Sequence, residues 1–163
     1  MTQEEKILDL VRKTIKGSEW DNRVYLVGGA VRDQIMGKPV DDLDFVVEGN
    51  ISAGVDFATW LCKKWNVFKK DSNPVVFPNY GTANMHYNDI KLEFVAPRKE
   101  KYTTGSRKPQ VTDGVLADDT KRRDLTINSL MRNVSTNEIL DLSGKGLNDI
   151  KQGIIRTPSE PDV

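Results

Sequence analysis

Apolar residues first recur at helical spacing in Ile7, Leu8, Val11 and Ile15, and Gly17-Ser18 supplies a stop, so residues 3–16 read as an amphipathic helix. Val24-Tyr25-Leu26-Val27 is a run of strand formers broken by Gly28-Gly29, after which Ala30 to Met36 turns as a helix ending at Gly37. Pro39 interrupts the chain. Asp42-Leu43-Asp44-Phe45-Val46-Val47-Glu48 then alternates as a second strand, closed by Gly49-Asn50. Between 52 and 65, Val55, Ala58, Leu61, Cys62 and Trp65 fall at helical offsets, which predicts a helix covering a sheet with Cys62 in the core.

Val67-Phe68 and Val75-Val76-Phe77 read as short strands, and 82–87 with 90–96 as a hairpin turned at Asn88-Asp89, so the sheet is expected to be mixed. Residues 97–118 are polar, contain Gly and Pro and lack apolar periodicity, which predicts a long loop. Asp118-Asp119-Thr120 can cap a helix running to about Arg132, with Leu125, Ile127, Leu130 and Met131 inward. A small hairpin over 133–141, a helix near 146–152, a strand-like run at Ile154-Ile155-Arg156-Thr157 and a Pro-containing linker complete the pattern. No repeat or low-complexity tract interrupts it. These elements describe one α+β domain over 1–157, followed by a linker over 158–163.

Composition narrows the function classes. The 163 residues carry 24 Lys plus Arg against 24 Asp plus Glu, so there is no overall basic field and any nucleic-acid role has to be local. One stretch is biased: 98–123 holds eight basic and four acidic side chains, either a local positive patch or a solvated loop. At 37% hydrophobic and 29% charged residues the chain suits a soluble globular core. A lone cysteine, Cys62, and a lone histidine, His86, provide neither an internal disulfide nor zinc-ligand spacing. With no signal sequence and no run of 18 apolar residues, a cytoplasmic protein without membrane contact is expected.

The candidate chemistry begins with Asp42 and Asp44. Two apart on a strand, they share a face, where neighbouring carboxylates raise one another's pKa and call for a cation. Magnesium is held by one or two carboxylates together with substrate phosphates, which suits an Asp-x-Asp strand. In Ile90-Lys91-Leu92-Glu93-Phe94-Val95 the apolar residues take one face and Glu93 the other. If this strand neighbours the first, Glu93 is a third carboxylate, and three acids can hold two ions about 4 Å apart; otherwise Glu93 pairs with Lys91 or Arg98. Gly28-Gly29 lies between a strand and a helix start, where free backbone N–H groups favour an anion and Arg32 adds charge, or it is only a tight turn. Neither a Walker A motif nor a complete G-x-G-x-x-G is present. Arg122-Arg123-Asp124-Leu125-Thr126-Ile127-Asn128 places Arg123 or Asp124 on one helical face with Asn128, as a functional polar stripe or a salt-bridged helix start. His86 has no partner in the pattern and reads as a surface or packed residue.

The blocks VYLVGGAVRDQIMGKPVDDLDFVVEG and KRRDLTINSL, with LDLSGKGLNDIKQGIIRTP behind them, resemble the head domain of the class II tRNA nucleotidyltransferase/poly(A) polymerase family in order and spacing, over nearly the whole chain from about residue 20. The resemblance implies a nucleotidyltransferase head like that of DNA polymerase beta, with a small mixed β-sheet and flanking helices. It implies Asp42, Asp44 and Glu93 as the catalytic acids, with Asp42 and Asp44 binding magnesium (Mg2+). Gly28, Gly29 and Arg32 would hold the triphosphate, and Arg123, Asp124 and Asn128 the ribose and phosphates. The 97–118 segment matches the mobile loop of such enzymes, and its Arg107 and Lys108 are placed near phosphates.

Family members continue past IRTP into a neck that reads the base and into helical domains that grip tRNA. Neither follows here, so the expectation is a catalytic head cut in its linker at Pro161-Asp162-Val163. The implied reaction transfers CMP or AMP from CTP or ATP to the 3′-hydroxyl of tRNA, with CCA, CC-only, A-only and poly(A) addition all open. Rivals from other classes are a non-catalytic NTP- or RNA-binding module and a small-molecule nucleotidyltransferase.

Overall fold

The computed structural model describes residues 2–65, 75–77, 81–87, 89–101, 105 and 110–158. The expected strand at Val67-Phe68, Asn88 of the hairpin turn, and Arg107 and Lys108 lie outside them. Helix α1 (Gln3–Ile15) starts where the Thr2 hydroxyl accepts the Glu5 N–H at 3.3 Å, carries Glu4 and Glu5 in its first turn and Arg12 and Lys13 in its last, and buries Ile7, Leu8, Val11 and Ile15. Strand β1 (Val24–Val27), helix α2 (Gly29–Ile35), strand β2 (Asp42–Val47) and helix α3 (Ala53–Lys64) follow as the pattern predicts.

The main sheet adds β3 (Val75–Phe77), β4 (Thr82–Tyr87), β5 (Ile90–Val95), β8 (Met131–Asn133) and β9 (Ile139–Leu140), in the order β3-β4-β5-β2-β1-β8-β9. It is mixed: β2 and β5 run parallel, and the other pairings are antiparallel. Asp89 takes the positive φ that closes the β4–β5 hairpin.

One face of the sheet is sealed by helices. Leu43, Phe45, Leu92 and Phe94 are fully buried there; the Phe45 and Phe94 rings stack at 5.1 Å and Phe57 of α3 meets Phe94 edge-on at 5.4 Å. Helix α3 lies so close to β5 that a Cβ on Gly54 would stand 2.8 Å from Val95 backbone atoms, so only glycine permits this approach. The opposite face has a smaller apolar cluster of Tyr25, Val27, Val46 and Met131, and beside it the acids of β2 and β5. Among the described residues no helix is long and apolar enough to cross a membrane.

Three expectations need correction. The 97–118 segment is not a structureless loop, because β6 (Arg98–Lys101) pairs antiparallel with β7 (Gln110–Asp113) as a separate two-stranded ribbon. It stands outside the main sheet, and its sequence lacks the apolar alternation that marks a half-buried strand. The helix expected from Asp118 to about Arg132 is three elements: α4 (Leu116–Arg122), a 3-10 turn (Thr126–Asn128) and β8. Val115, not Asp118, precedes the first turn, and its N–H donates to the Asp118 carboxylate at 2.8 Å. The helix ends because Arg123 and Leu125 are extended and Thr126 is held across the fold by the buried Asp149, at 2.5 Å. Finally, Ile154–Thr157 joins no strand; the Arg156 carbonyl accepts the Thr126 N–H at 2.9 Å. Helix α5 (Gly146–Gln152) stands where expected, and the β8–β9 hairpin begins at Met131, two residues before the expected 133–141.

Candidate functional site

The parallel pairing of β2 with β5 decides the first question about the acids. Asp44 stands directly across from Glu93, and Asp42 across from Lys91, so the period-two alternation places Asp42, Asp44 and Glu93 on one sheet face. Asp42 lies at the exposed start of β2 and Asp44 is half-buried. The Asp44 carboxyl is pushed above the usual aspartate range, first by burial and then by the negative charge of Glu93, with Asp42 adding to it and Arg123 and Lys91 opposing. A carboxylate whose like-charged neighbours outweigh the cations near it is a place that favours a further positive charge. Asp42 and Asp44 offer the hard oxygen donors suited to magnesium, which characteristically relies on few protein ligands. Among the described residues no three His, Cys, Asp or Glu side chains are drawn together tightly enough to enclose an ion, so the fit is an open carboxylate pair rather than a cage.

The glycine turn leads to the same point. Gly28 has φ 72° and ψ −147°, a combination essentially restricted to glycine. A Cβ there would sit 3.7 Å from Arg123 Nη1 and 3.9 Å from Asp44 Oδ2, so the turn, the arginine and the acid converge. Arg32 Nη2 lies 3.3 Å from the corresponding point at Gly29. Because α2 has only two turns, charge at this end comes chiefly from Arg32 rather than from a helix dipole.

Arg32, Asn128 and Asp124 form a hydrogen-bonded chain. Arg32 Nη1 donates to Asn128 Oδ1 at 2.7 Å and Asn128 Nδ2 donates to Asp124 Oδ1 at 3.0 Å. The Leu125 N–H also donates to Asp124 Oδ1, at 2.8 Å, and these bonds hold the Asp124 carboxyl below its usual range, the Asn128 bond first. The expected pairing of Asp124 with Asn128 is therefore present, carried by the 3-10 turn rather than by a continuous helix.

Two clefts flank Asp44. One, of about 260 Å³, is lined by Gly29, Ala30, Asp33, Asp42 and Asp44; the other, of about 200 Å³, by Asp44, Glu93, Val95, Arg122 and Arg123. Each alone is below the roughly 300 Å³ at which small-molecule sites usually begin, so a larger polar ligand would bridge both across Asp44. Asp119 is the residue the sequence reading passed over: taken there for a helix cap, it is fully buried and accepts Arg123 Nε at 3.0 Å. A carboxylate four residues before an arginine in a helical frame was the available signal. His86 lies on β4 opposite Lys91 and is exposed.

A family model described as the poly A polymerase head domain matches residues 24–156. Over 145 residues the chain is 37% identical to the mitochondrial CCA tRNA nucleotidyltransferase of Saccharomyces cerevisiae, covering 82% of this chain and 26% of that protein. It is 39% identical over 137 residues to the A-adding tRNA nucleotidyltransferase of Aquifex aeolicus, covering 82% and 16%. Among solved structures, an apo form of a CCA-adding enzyme superposes with a TM-score of 0.74 at 30% identity over 94% of this chain and 35% of its own. A tRNA nucleotidyltransferase complexed with a primer tRNA and an incoming ATP analog gives 0.68 at 34% identity over 93% and 39%. The chain thus spans about a quarter or less of these two curated relatives' length. The match across most of the chain and the shared architecture establish that it belongs to the poly A polymerase head-domain family.

Proposed function

We propose that this chain is the nucleotidyl-transferring head of a tRNA nucleotidyltransferase, taking CMP or AMP from CTP or ATP to the 3′-hydroxyl of a tRNA. The observation that carries the reading is the Asp42, Asp44 and Glu93 face meeting the Gly28 turn and the Arg123 guanidinium. The hydroxyl oxygen gives up its proton to water and forms a bond to the α-phosphorus, the bond from that phosphorus to the bridging oxygen breaks, and pyrophosphate leaves. Asp42 and Asp44 would hold magnesium, which when bound neutralises phosphate charge and acidifies the attacking hydroxyl. Glu93 stands directly across from Asp44 and is one of the causes that raise the Asp44 carboxyl above its usual range, so the pair favours a cation there. Arg123 Nη1 and Arg32 offer donors to phosphate oxygens. Asp124 has one oxygen committed to Asn128 and Leu125, and its second would accept a ribose hydroxyl. A tRNA nucleotidyltransferase complexed with a primer tRNA and an incoming ATP analog and a tRNA-processing enzyme with CTP, both among the structural neighbours, support this choice of substrates. We place the protein in the cytoplasm.

The test is addition to tRNA ending before CCA, with CTP, ATP or both, by the complete protein that carries this head. Incorporation of both nucleotides supports CCA addition, whereas C alone or A alone assigns a partial activity. No transfer to any RNA end, with nucleotide binding indifferent to magnesium and to Asp42→Asn, would favour a binding module instead.

A further inference from the structure

We propose that Asp119 is a positioning residue that fixes which corner of Arg123 faces the nucleotide, an assignment that rests on the nucleotidyltransferase reading of the site. The Asp119 side chain has no exposed surface, yet it receives two guanidinium contacts from Arg123, Nε at 3.0 Å and Nη2 at 3.4 Å, and Arg122 Nη2 lies 3.5 Å away. This is more than the solvent-exposed i,i+4 pair that the spacing alone would give.

The backbone explains why a clamp is needed. Helix α4 ends at Arg122, and Arg123 is extended with φ −71° and ψ 149°, so Arg123 lies just beyond the helix and its long side chain is not held by helical packing. Asp119 takes the Nε and Nη2 edge, one of the two edges through which a guanidinium can bind an oxyanion with two parallel hydrogen bonds. The remaining corner, Nη1, is the atom that approaches Gly28 and Asp44. Arg123 therefore meets a ligand through a fixed end, the N–H groups of Nη1 with the second N–H of Nη2, rather than as a freely swinging side chain, which sets the position of a phosphate oxygen relative to Asp44.

The experiment measures magnesium-dependent CTP and ATP binding to the complete protein that carries this head by calorimetry for Asp119→Asn, Arg123→Ala and the double variant, with circular dichroism as a fold control. Asp119→Asn is expected to weaken binding about tenfold, as does Arg123→Ala, and the double variant to be no weaker than Arg123→Ala alone. A merely structural role would give additive losses. Additive losses, or wild-type affinity in Asp119→Asn, would overturn the proposal. Should Asp119→Asn fail to fold, the Arg123 Nε–H resonance of the wild-type chain decides: slow solvent exchange, retained when CTP is added, is expected, and exchange as fast as in free arginine refutes the clamp. If the complete wild-type protein binds neither nucleotide, the nucleotidyltransferase reading fails, and the same Nε–H measurement without nucleotide judges the clamp by itself.

Discussion

The acids and the cations of the site are held by different physics. Asp44 and Glu93 stand on paired central strands, fixed in place by the backbone ladder whatever their charges prefer, and their charges work against one another. Arg123, Asp124 and Asn128 stand on short segments after α4, and their side chains are fixed by partners: Asp119 for Arg123, Asn128 for Asp124 and Arg32 for Asn128. The strand region can therefore bear electrostatic tension at little structural cost, whereas the segment region has its order only through the bonds that hold its charges. Removing an acid should damage function and spare the fold, and removing a partner in the second region should damage both.

The largest effect tests the first half of that contrast. Asp42→Ala or Asp44→Ala in the complete protein is expected to lower nucleotide addition by at least about a thousandfold, as loss of a charge-stabilising group at a reacting phosphate can do, while the circular dichroism spectrum stays unchanged. Near-normal addition by either variant would remove these acids from the chemistry. Next comes Asp149→Ala, which strips the buried acceptor of Thr126 and Arg156 from beneath the 3-10 turn. It is expected to cost about 2 kcal/mol in urea unfolding, since a buried hydrogen-bonded carboxylate is lost but Arg156 can turn to water. A loss below about 0.5 kcal/mol would mean that the turn does not depend on its partners. A smaller effect of opposite sign is expected for Asp44→Asn at pH 7 in chelator, where removing the repelled charge raises the unfolding free energy by no more than about 1 kcal/mol.

The same contrast governs what could be read from residues alone. Period-two alternation identified β2 and β5 and put Glu93 opposite the face of Ile90, Leu92 and Phe94, but not the strand pairing that sets Asp44 beside Glu93; only the fold supplies that register. The 118–132 segment misled because Leu125, Ile127, Leu130 and Met131 imitate helical spacing. What breaks it is nonlocal, the bond from Thr126 to Asp149 and the extended backbone at Arg123 and Leu125. The convergence of Gly28, Arg123 and Asp44 was implied by family resemblance, and the particular guanidinium corner was visible only in three dimensions.

A carboxylate outside the site gives the opposite sign and so sharpens the comparison. Glu5 on α1 receives both Nη atoms of Arg132 at 2.9 and 3.2 Å, and this bond first of all holds its pKa below 4.5 despite some burial. With the folded value depressed, the unfolded chain binds more protons in that range, so Glu5 contributes stability above pH 4.5 that is lost as the pH falls through its folded pKa. For Asp44 the folded value is raised, the folded chain binds more protons, and stability declines as the pH rises from 3.8 through that raised value. Because Glu5 is 38% exposed, solvent screening keeps its share below about 1 kcal/mol. Urea midpoints measured in chelator across pH should therefore show Glu5→Gln less stable than wild type at pH 7, with the gap closing in acid. The gap for Asp44→Asn should also close in acid, from the other side. Parallel profiles for the two variants would mean that the strand acids are not under tension, and the contrast between ladder-held and partner-held charges would fall.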